Sequence, residues 1–145
     1  MRSIRQCLCL LLMCLYTVCG FATQEIIVSD PWIAEAPPNA KVMAAYMRID
    51  NHSAQARRLL AIKNDYGLQV ALHRSIERGG IVIMKPVNDI MLPANGHLLL
   101  TPGGYHAMIH APARDYRQGN HLQMSLQFAD GTMIRIVAEV KRRLR

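Results

Sequence analysis

Cysteine is scarce in this chain, and its four cysteines all lie within the first nineteen residues. They belong to an almost unbroken apolar run, Cys7 to Cys19, which follows two basic residues and precedes Gly20-Phe21-Ala22. A basic start, an apolar run and small residues before a cleavage site are typical of a secretory signal peptide. We predict that this one is cleaved after Ala22. The expected mature domain, 23–145, then has no disulfide, no cysteine nucleophile and no thiolate metal site, which excludes a blue-copper centre.

Two other interpretations of the amino-terminal run are weaker. A membrane-spanning helix needs roughly 20 apolar residues, and this run is shorter. Cys19 could carry a lipid, but Tyr16-Thr17-Val18 before it is a poor lipidation signal. We therefore predict a soluble exported protein with no stable membrane insertion.

Features of nucleic-acid binding are also missing. The formal net charge of +7 falls to +5 once Arg2 and Arg5 leave with the signal peptide. No aromatic RNA-binding motif, zinc finger or basic helix accompanies that modest excess. In an exported protein it indicates solubility or docking on an acidic partner rather than nucleic-acid binding.

Long amphipathic helices are missing too, and short alternating runs take their place. Turn residues recur about every ten residues, including the hairpin signal Asp130-Gly131 and a loop over Ala34 to Lys41. This pattern predicts a single all-β domain, a Greek-key sandwich or barrel. The predicted strands are Glu25–Val28, Val42–Asp50, Arg57–Lys63, Leu68–Arg74, Ile81–Val87, His97–Leu100, Tyr105–His110, His121–Phe128 and Met133–Val140.

The candidate functional residues begin with His106 and Met108. Residues two apart in a strand point to the same face, so an imidazole and a thioether project together. That combination suits a soft metal such as Cu(I) better than zinc, magnesium or calcium. Further candidates lie upstream: 21 residues separate Met84 from His106, and ten separate His73 from Met84.

A hairpin over 68–87 would bring His73 and Met84 together. If Arg78-Gly79 is its loop, these two residues are directly opposed, with Cβ atoms roughly 4.5–5.5 Å apart. They would share the face away from Leu72, Ile81 and Ile83, which we expect to face the core. The predicted site would thus lie off the main core, accessible to a partner.

Each of these residues taken alone is more often a surface or core residue than a ligand. Methionine in particular fills irregular gaps in cores. His110 shares a face with His106 and is the only serious spare ligand, although we expect it to be a bystander. Met43 and Met47 are further candidates to line the site.

The spacing H-x10-M-x21-H-x-M matches the signature of the periplasmic copper chaperone family PCuAC. Three flanking segments also resemble that family: Asp30-Pro31-Trp32 with the following Ala36-Pro37-Pro38, Ala44-Ala45-Tyr46-Met47, and Pro102 to Met108. The likeness extends from about Ile27 to Val140. Two departures are His73-Arg74-Ser75 in place of H-E-M, and a basic carboxyl terminus in place of a His- and Met-rich tail.

The resemblance implies a cupredoxin-like β-sandwich that acts in the periplasm, and we expect the protein to be a monomer. It implies one Cu(I) per chain, bound by His73, Met84, His106 and Met108. The implied role is copper delivery towards the CuA centre of cytochrome c oxidase, alongside a Sco-type protein. We expect a carrier and no enzyme, because a copper enzyme needs an open coordination position and nearby acid–base groups. A copper-sequestering resistance protein and a metal-free interaction module are the alternatives.

Overall fold

Ten β-strands make up the regular structure of this protein in a computed structural model that describes residues 25–37, 40–110 and 116–142. Within those ranges the chain forms no helix, and hence none long and apolar enough to cross a membrane. The predicted signal peptide lies outside them. The strands are β1 (Ile26–Ala34), β2 (Val42–Asn51), β3 (Arg57–Asn64), β4 (Val70–Arg78), β5 (Ile81–Pro86), β6 (Ile90–Leu92), β7 (Gly96–Leu100), β8 (Tyr105–His110), β9 (His121–Phe128) and β10 (Met133–Lys141).

The all-β prediction is confirmed, although several strand bounds differ, among them those of β4, which ends at Arg78 rather than Arg74. β1 runs on to Ala34 through Asp30-Pro31, where the sequence predicts an ending. A break in the β1–β2 register between Ser29 and Trp32 accommodates these two residues, so the missing proline N–H costs no ladder hydrogen bond. β6 was not predicted, because three residues are too few to show an alternating pattern.

The strands join into one mixed sheet in the order β5-β4-β8-β7-β2-β1-β10-β9-β3-β6, with β8 also paired to β2. β1–β10 and β7–β8 are parallel, and the other pairs are antiparallel. The sheet folds over so that β3 approaches β4 and β6 approaches β7. Alternate side chains fill the enclosed core; its largest fully buried apolar members are Ile33, Ile49, Leu59, Ile62, Leu92, Leu100, Ile109, Leu122, Met124, Leu126 and Val140.

The β4–β5 hairpin differs in register from the prediction. Its two-residue loop is Gly79-Gly80, with φ of 58° and 77°, and Arg78 pairs with Ile81. A tight hairpin turn of this type needs positive φ at both central residues, which glycine adopts most easily. Gly79 and Gly80 therefore form the turn, and Arg78 is the last residue of β4. His73 therefore faces Pro86, and Met84 faces Ser75. The predicted direct opposition of His73 and Met84 is wrong by two residues.

β5 also differs in exposure, because all six of its residues are exposed. The prediction that Ile81 and Ile83 face the core is wrong, since they are 67% and 41% exposed. β5 is one of the two edge strands, and β4 is its one hydrogen-bonded neighbour among the described strands. We call the outer part of the β4–β5 hairpin, residues 74–85, the arm.

Candidate metal centre

The pairing of β4 with β8 brings two of the predicted ligands face to face. His73 lies directly opposite His106, and their rings stack with centroids 5.8 Å apart and planes 17° from parallel. The sequence-based prediction placed His73 opposite Met84 instead, because it rested only on the hairpin that contains both residues. The pairing of β4 with β8 joins segments that are far apart in the sequence, so turn residues cannot predict it.

The two methionines lie on the same face as the histidines. Met108 is opposite Ala71, two residues from His73 on β4, and Met84 is opposite Ser75, two residues away in the other direction. Because side chains alternate, a register shift of two residues keeps every side chain on its predicted face. The structure therefore places all four predicted ligands on one face of three adjacent strands.

An open pocket of about 680 Å³ lies beside this face. Met84, His106 and Met108 line it, together with residues of the segment that leads from β1 to β2. Access to the four side chains is graded. Met84 is 54% exposed, His73 and Met108 are partly buried, and His106 is 3% exposed.

His106 has one satisfied and one unsatisfied ring nitrogen. Its Nδ1 lies 3.1 Å from the carbonyl oxygen of Gly104, which can only accept a hydrogen bond, so Nδ1 carries the proton. Its Nε2 then carries a lone pair, and it is buried with no hydrogen-bond partner among the described residues. A backbone carbonyl holding the far nitrogen is the usual arrangement behind a metal-ligating histidine.

The same arrangement is present in a weaker form at His73. Its Nδ1 lies 3.4 Å from the carbonyl oxygen of Ala71, at the long end of hydrogen-bond distances. This contact also favours a lone pair on Nε2. In both imidazoles Nε2 is therefore the nitrogen left to coordinate a metal.

An aromatic wall supports His106 from the side of β2. The rings of Tyr46 and His106 have centroids 6.5 Å apart, and Tyr46 packs against Trp32 at 4.7 Å. Trp32 and Tyr46 are directly opposed across β1 and β2. Their role was missed from the sequence, although both lie in the segments that resemble the PCuAC family.

His110 lies close to the four predicted ligands. It is on the same face of β8 as His106, and its ring centroid is 6.5 Å from that of His73. The other described histidines, His52, His97 and His121, are exposed. Met43 borders the pocket, but both it and Met47 are buried on the core face of β2.

Glu35 is a pocket residue that sequence reasoning did not identify. Its side chain is 16% exposed and lies 3.8 Å from Arg117 and 3.9 Å from Arg142. It is far in sequence from the ligand stretches, so only the fold could reveal its position. Over the part of the chain that the structure describes, no group of three or more His, Cys, Asp or Glu side chains is arranged to hold a metal. A metal on this face would therefore need the methionines.

Known proteins resemble this chain in both sequence and fold. The sequence profile of the LpqE-like family matches residues 26–140. The Leifsonia xyli protein Lxx21020, which is named as a lipoprotein, is 24% identical over 123 residues, 84% of this chain and 73% of its own length.

Two solved structures share the fold over most of their lengths. The Cu(I) form of DR1885 from Deinococcus radiodurans is 26% identical with a TM-score of 0.66, covering 87% of this chain and 84% of its own. The copper-bound PCuAC domain from PmoF2 is 21% identical with a TM-score of 0.69, covering 85% and 97%. The predicted cupredoxin-like sandwich and the PCuAC resemblance are thereby confirmed. The chain belongs to the LpqE-like family and has the fold of the PCuAC domains.

Proposed function

We propose that this protein is an exported copper carrier that binds one Cu(I) ion through His73, Met84, His106 and Met108. Two neutral imidazoles and two thioethers form a soft donor set that suits Cu(I) without adding charge. This assignment of the ligands is an inference from their shared face and from the chemistry of their donor atoms.

The observation that carries the proposal is the buried Nε2 of His106, which has no hydrogen-bond partner in the part of the chain that the structure describes. A buried nitrogen acceptor without a partner costs free energy comparable to a lost hydrogen bond, roughly 1–3 kcal/mol. It is retained here on the wall of a pocket, 3% exposed, beside a second imidazole and two thioethers. A metal at this position would satisfy that lone pair.

The graded access of the four side chains supports a carrier rather than a permanent metal site. Met84 is on the exposed edge strand, whereas His106 is fixed against Gly104 and Tyr46. A soft donor from a partner can therefore replace Met84 first, while the histidines still hold the ion. We infer ligand exchange that begins at Met84.

We propose a carrier rather than an enzyme for this site. The carboxylate on the pocket wall, that of Glu35, pairs with the side chains of Arg117 and Arg142 at 3.8 and 3.9 Å. The copper-bound relatives and the PCuAC resemblance favour delivery in the periplasm, towards a CuA domain or a Sco-type protein, by a monomer.

Anaerobic Cu(I) titration against a competing chelator tests the site. We expect one Cu(I) per mature chain and much weaker binding of Cu(II). The loaded protein is then mixed with a reduced apo CuA domain, and the metal is followed by mass spectrometry. Transfer supports a carrier, retention of copper although transfer is downhill supports sequestration, and sustained turnover of oxygen or peroxide supports an enzyme.

Export is tested separately by the intact mass of the secreted protein. Cleavage after Ala22 gives a chain that starts at Thr23 and has no cysteine. A mature chain that retains Cys19, with or without a lipid, would contradict the proposed soluble periplasmic form.

A further inference from the structure

The arm has an open backbone edge next to Met84. Leu72 accepts a hydrogen bond from the N–H of Val87 at 2.9 Å, whereas Ser75 donates across to Gly104 on the β8 side at 3.1 Å. Hydrogen-bonded pairs alternate along an antiparallel ladder, so Ile81, Ile83 and Lys85 bond to β4. Val82 and Met84 therefore turn their N–H and C=O groups away from the sheet, at an edge that no described strand covers.

The side chains of this edge are apolar and exposed on both faces. Ile81 and Ile83 are 67% and 41% exposed on one face, and Val82 and Met84 are 59% and 54% exposed on the other. An exposed apolar edge strand is a template for pairing with another chain. Pro86 has no N–H, so it ends the free edge and limits such pairing to a short segment.

The arm carries a net positive charge, because Arg74, Arg78 and Lys85 outnumber its single acid, Glu77, which lies opposite Val82. Arg74 and Lys85 are directly opposed across β4 and β5, an arrangement of like charges that is unfavourable in a sheet. Arg74 stacks over the Tyr105 ring at 5.2 Å. Neither Arg78 nor Lys85 forms an ion pair with any described residue. An acidic segment laid along β5 would offset this repulsion.

We propose that the edge of β5 is a docking site for an extended acidic segment of a partner protein, which adds to the sheet as a further strand. The backbone groups of Val82 and Met84 would bind the segment, and Arg74, Arg78 and Lys85 would select its carboxylates. The inference deepens the proposed function and rests on it for its purpose, because this docking brings the partner alongside Met84.

Two other occupants fit the edge less well. A second copy of this chain would bring the same cations to the shared edge and increase their repulsion. A lipid surface would leave the N–H and C=O groups of Val82 and Met84 without hydrogen-bond partners, which is costly in hydrocarbon. The acidic strand alone satisfies both the backbone and the charges.

The test uses copper-free mature protein, so it can fail independently of copper binding. The probes are two short synthetic peptides, one alternating valine with glutamate and the other valine with lysine. We expect the acidic peptide to bind at least about fivefold tighter than the basic one, because complementary charge selects the partner. Binding should protect the Val82 and Met84 amides from hydrogen exchange and should weaken with added salt.

Two variants with matched controls separate the contribution of the backbone hydrogen bonds to peptide binding from that of the charges. Val82→Pro removes an outward N–H without breaking the β4 ladder and should abolish binding, whereas Val82→Ala should retain it. Lys85→Glu should weaken acidic-peptide binding several-fold, whereas Lys63→Glu on β3 should not. Folding of each variant is checked by the circular dichroism of the apo protein.

Several outcomes would overturn the proposal. They are equal binding of both peptides, absence of binding, or protection away from β5. Dimerisation through β5 in sedimentation experiments would assign the edge to a second copy. Binding of β5 to vesicles containing anionic phosphatidylglycerol, without peptide binding, would assign it to a membrane surface.

Discussion

The core strand β9 and the arm strand β5 are both rich in apolar residues, but their burial is opposite. On β9, every second residue from Leu122 to Phe128 is buried, because β10 and β3 flank the strand and the folded sheet covers one face. On β5, the run Ile81 to Met84 is as apolar, yet it is exposed throughout. The alternation of side chains along a strand determines which of them share a face. Whether they are buried depends on whether another part of the sheet covers that face.

This difference suggests separate roles for the two regions: the core provides stability, and the arm provides recognition. We expect the core to supply most of the free energy of folding, whereas the exposed strand β5 holds Met84 and an open edge. We therefore expect the apo protein to unfold cooperatively with β-sheet circular dichroism. That behaviour would contrast with a zinc finger, in which the metal supplies the folding energy.

Truncation of equivalent apolar side chains should give the largest contrast. Leu126→Ala empties a fully buried position and should lower the free energy of unfolding by about 2–5 kcal/mol. Ile81→Ala on the arm should change it by less than about 0.5 kcal/mol, as at other exposed sites. Urea unfolding of the apo proteins measures both. Similar losses would show that the arm is part of the core.

Removal of His106 should have the largest effect on copper. His106→Ala should weaken Cu(I) binding by more than the roughly 10- to 100-fold that loss of an outer-shell partner costs. His97→Ala, at an exposed histidine, is the control and should leave the affinity unchanged. Anaerobic chelator competition measures both, and equal affinities for the two variants would remove His106 from the site.

Met84 can be separated from an equally exposed methionine. Met84 and Met91 are both 54% exposed, so their reactivity towards peroxide should be similar. Met84→Leu should weaken Cu(I) binding and Met91→Leu should not. Sulfoxide formation at Met84 replaces a soft sulfur with a polar group, so peroxide treatment should release copper from the wild type. Release that does not follow sulfoxide formation at Met84 or Met108 in peptide mass spectrometry would contradict this.

A pH effect should appear at the turn between β9 and β10. The backbone N–H of Thr132, which donates a hydrogen bond to Asp130 at 2.9 Å, is the main cause of the lowered pKa of Asp130; partial burial opposes this effect, and the Thr132 side chain and Arg57 add to it. A lowered folded-state pKa gives stability above the ordinary carboxyl range, and that stability is lost as pH falls through the folded value. Asp130→Asn should cost at most about 1 kcal/mol at neutral pH, because the pair is partly exposed. The difference in Tm should vanish in acid; a constant difference would rule out an ionic origin.

The smallest effect is expected at His110. Although its ring lies near that of His73, the four proposed ligands already satisfy Cu(I), so His110→Ala should leave the affinity within a few-fold. The binding assay used for His106→Ala applies. A loss as large as that of His106→Ala would make His110 a ligand in place of one of the four.

Local geometry made part of this protein predictable from its sequence. Side chains alternate with a period of two, so the common face of His106 and Met108 follows from their spacing alone. The same parity kept His73 and Met84 on that face even though their predicted register was wrong by two residues. The bounds of β8 and β9 also agree with the predicted ones, because clear turn residues flank both strands.

Only the tertiary structure decided which strands meet and which faces are covered. It placed His73 against His106, left Nε2 of His106 without a partner among the described residues, and brought Glu35 and Tyr46 to the same pocket. It also left β5 uncovered at the edge of the sheet. These are contacts between segments far apart in sequence, and the energy that selects them depends on the whole fold rather than on any local pattern.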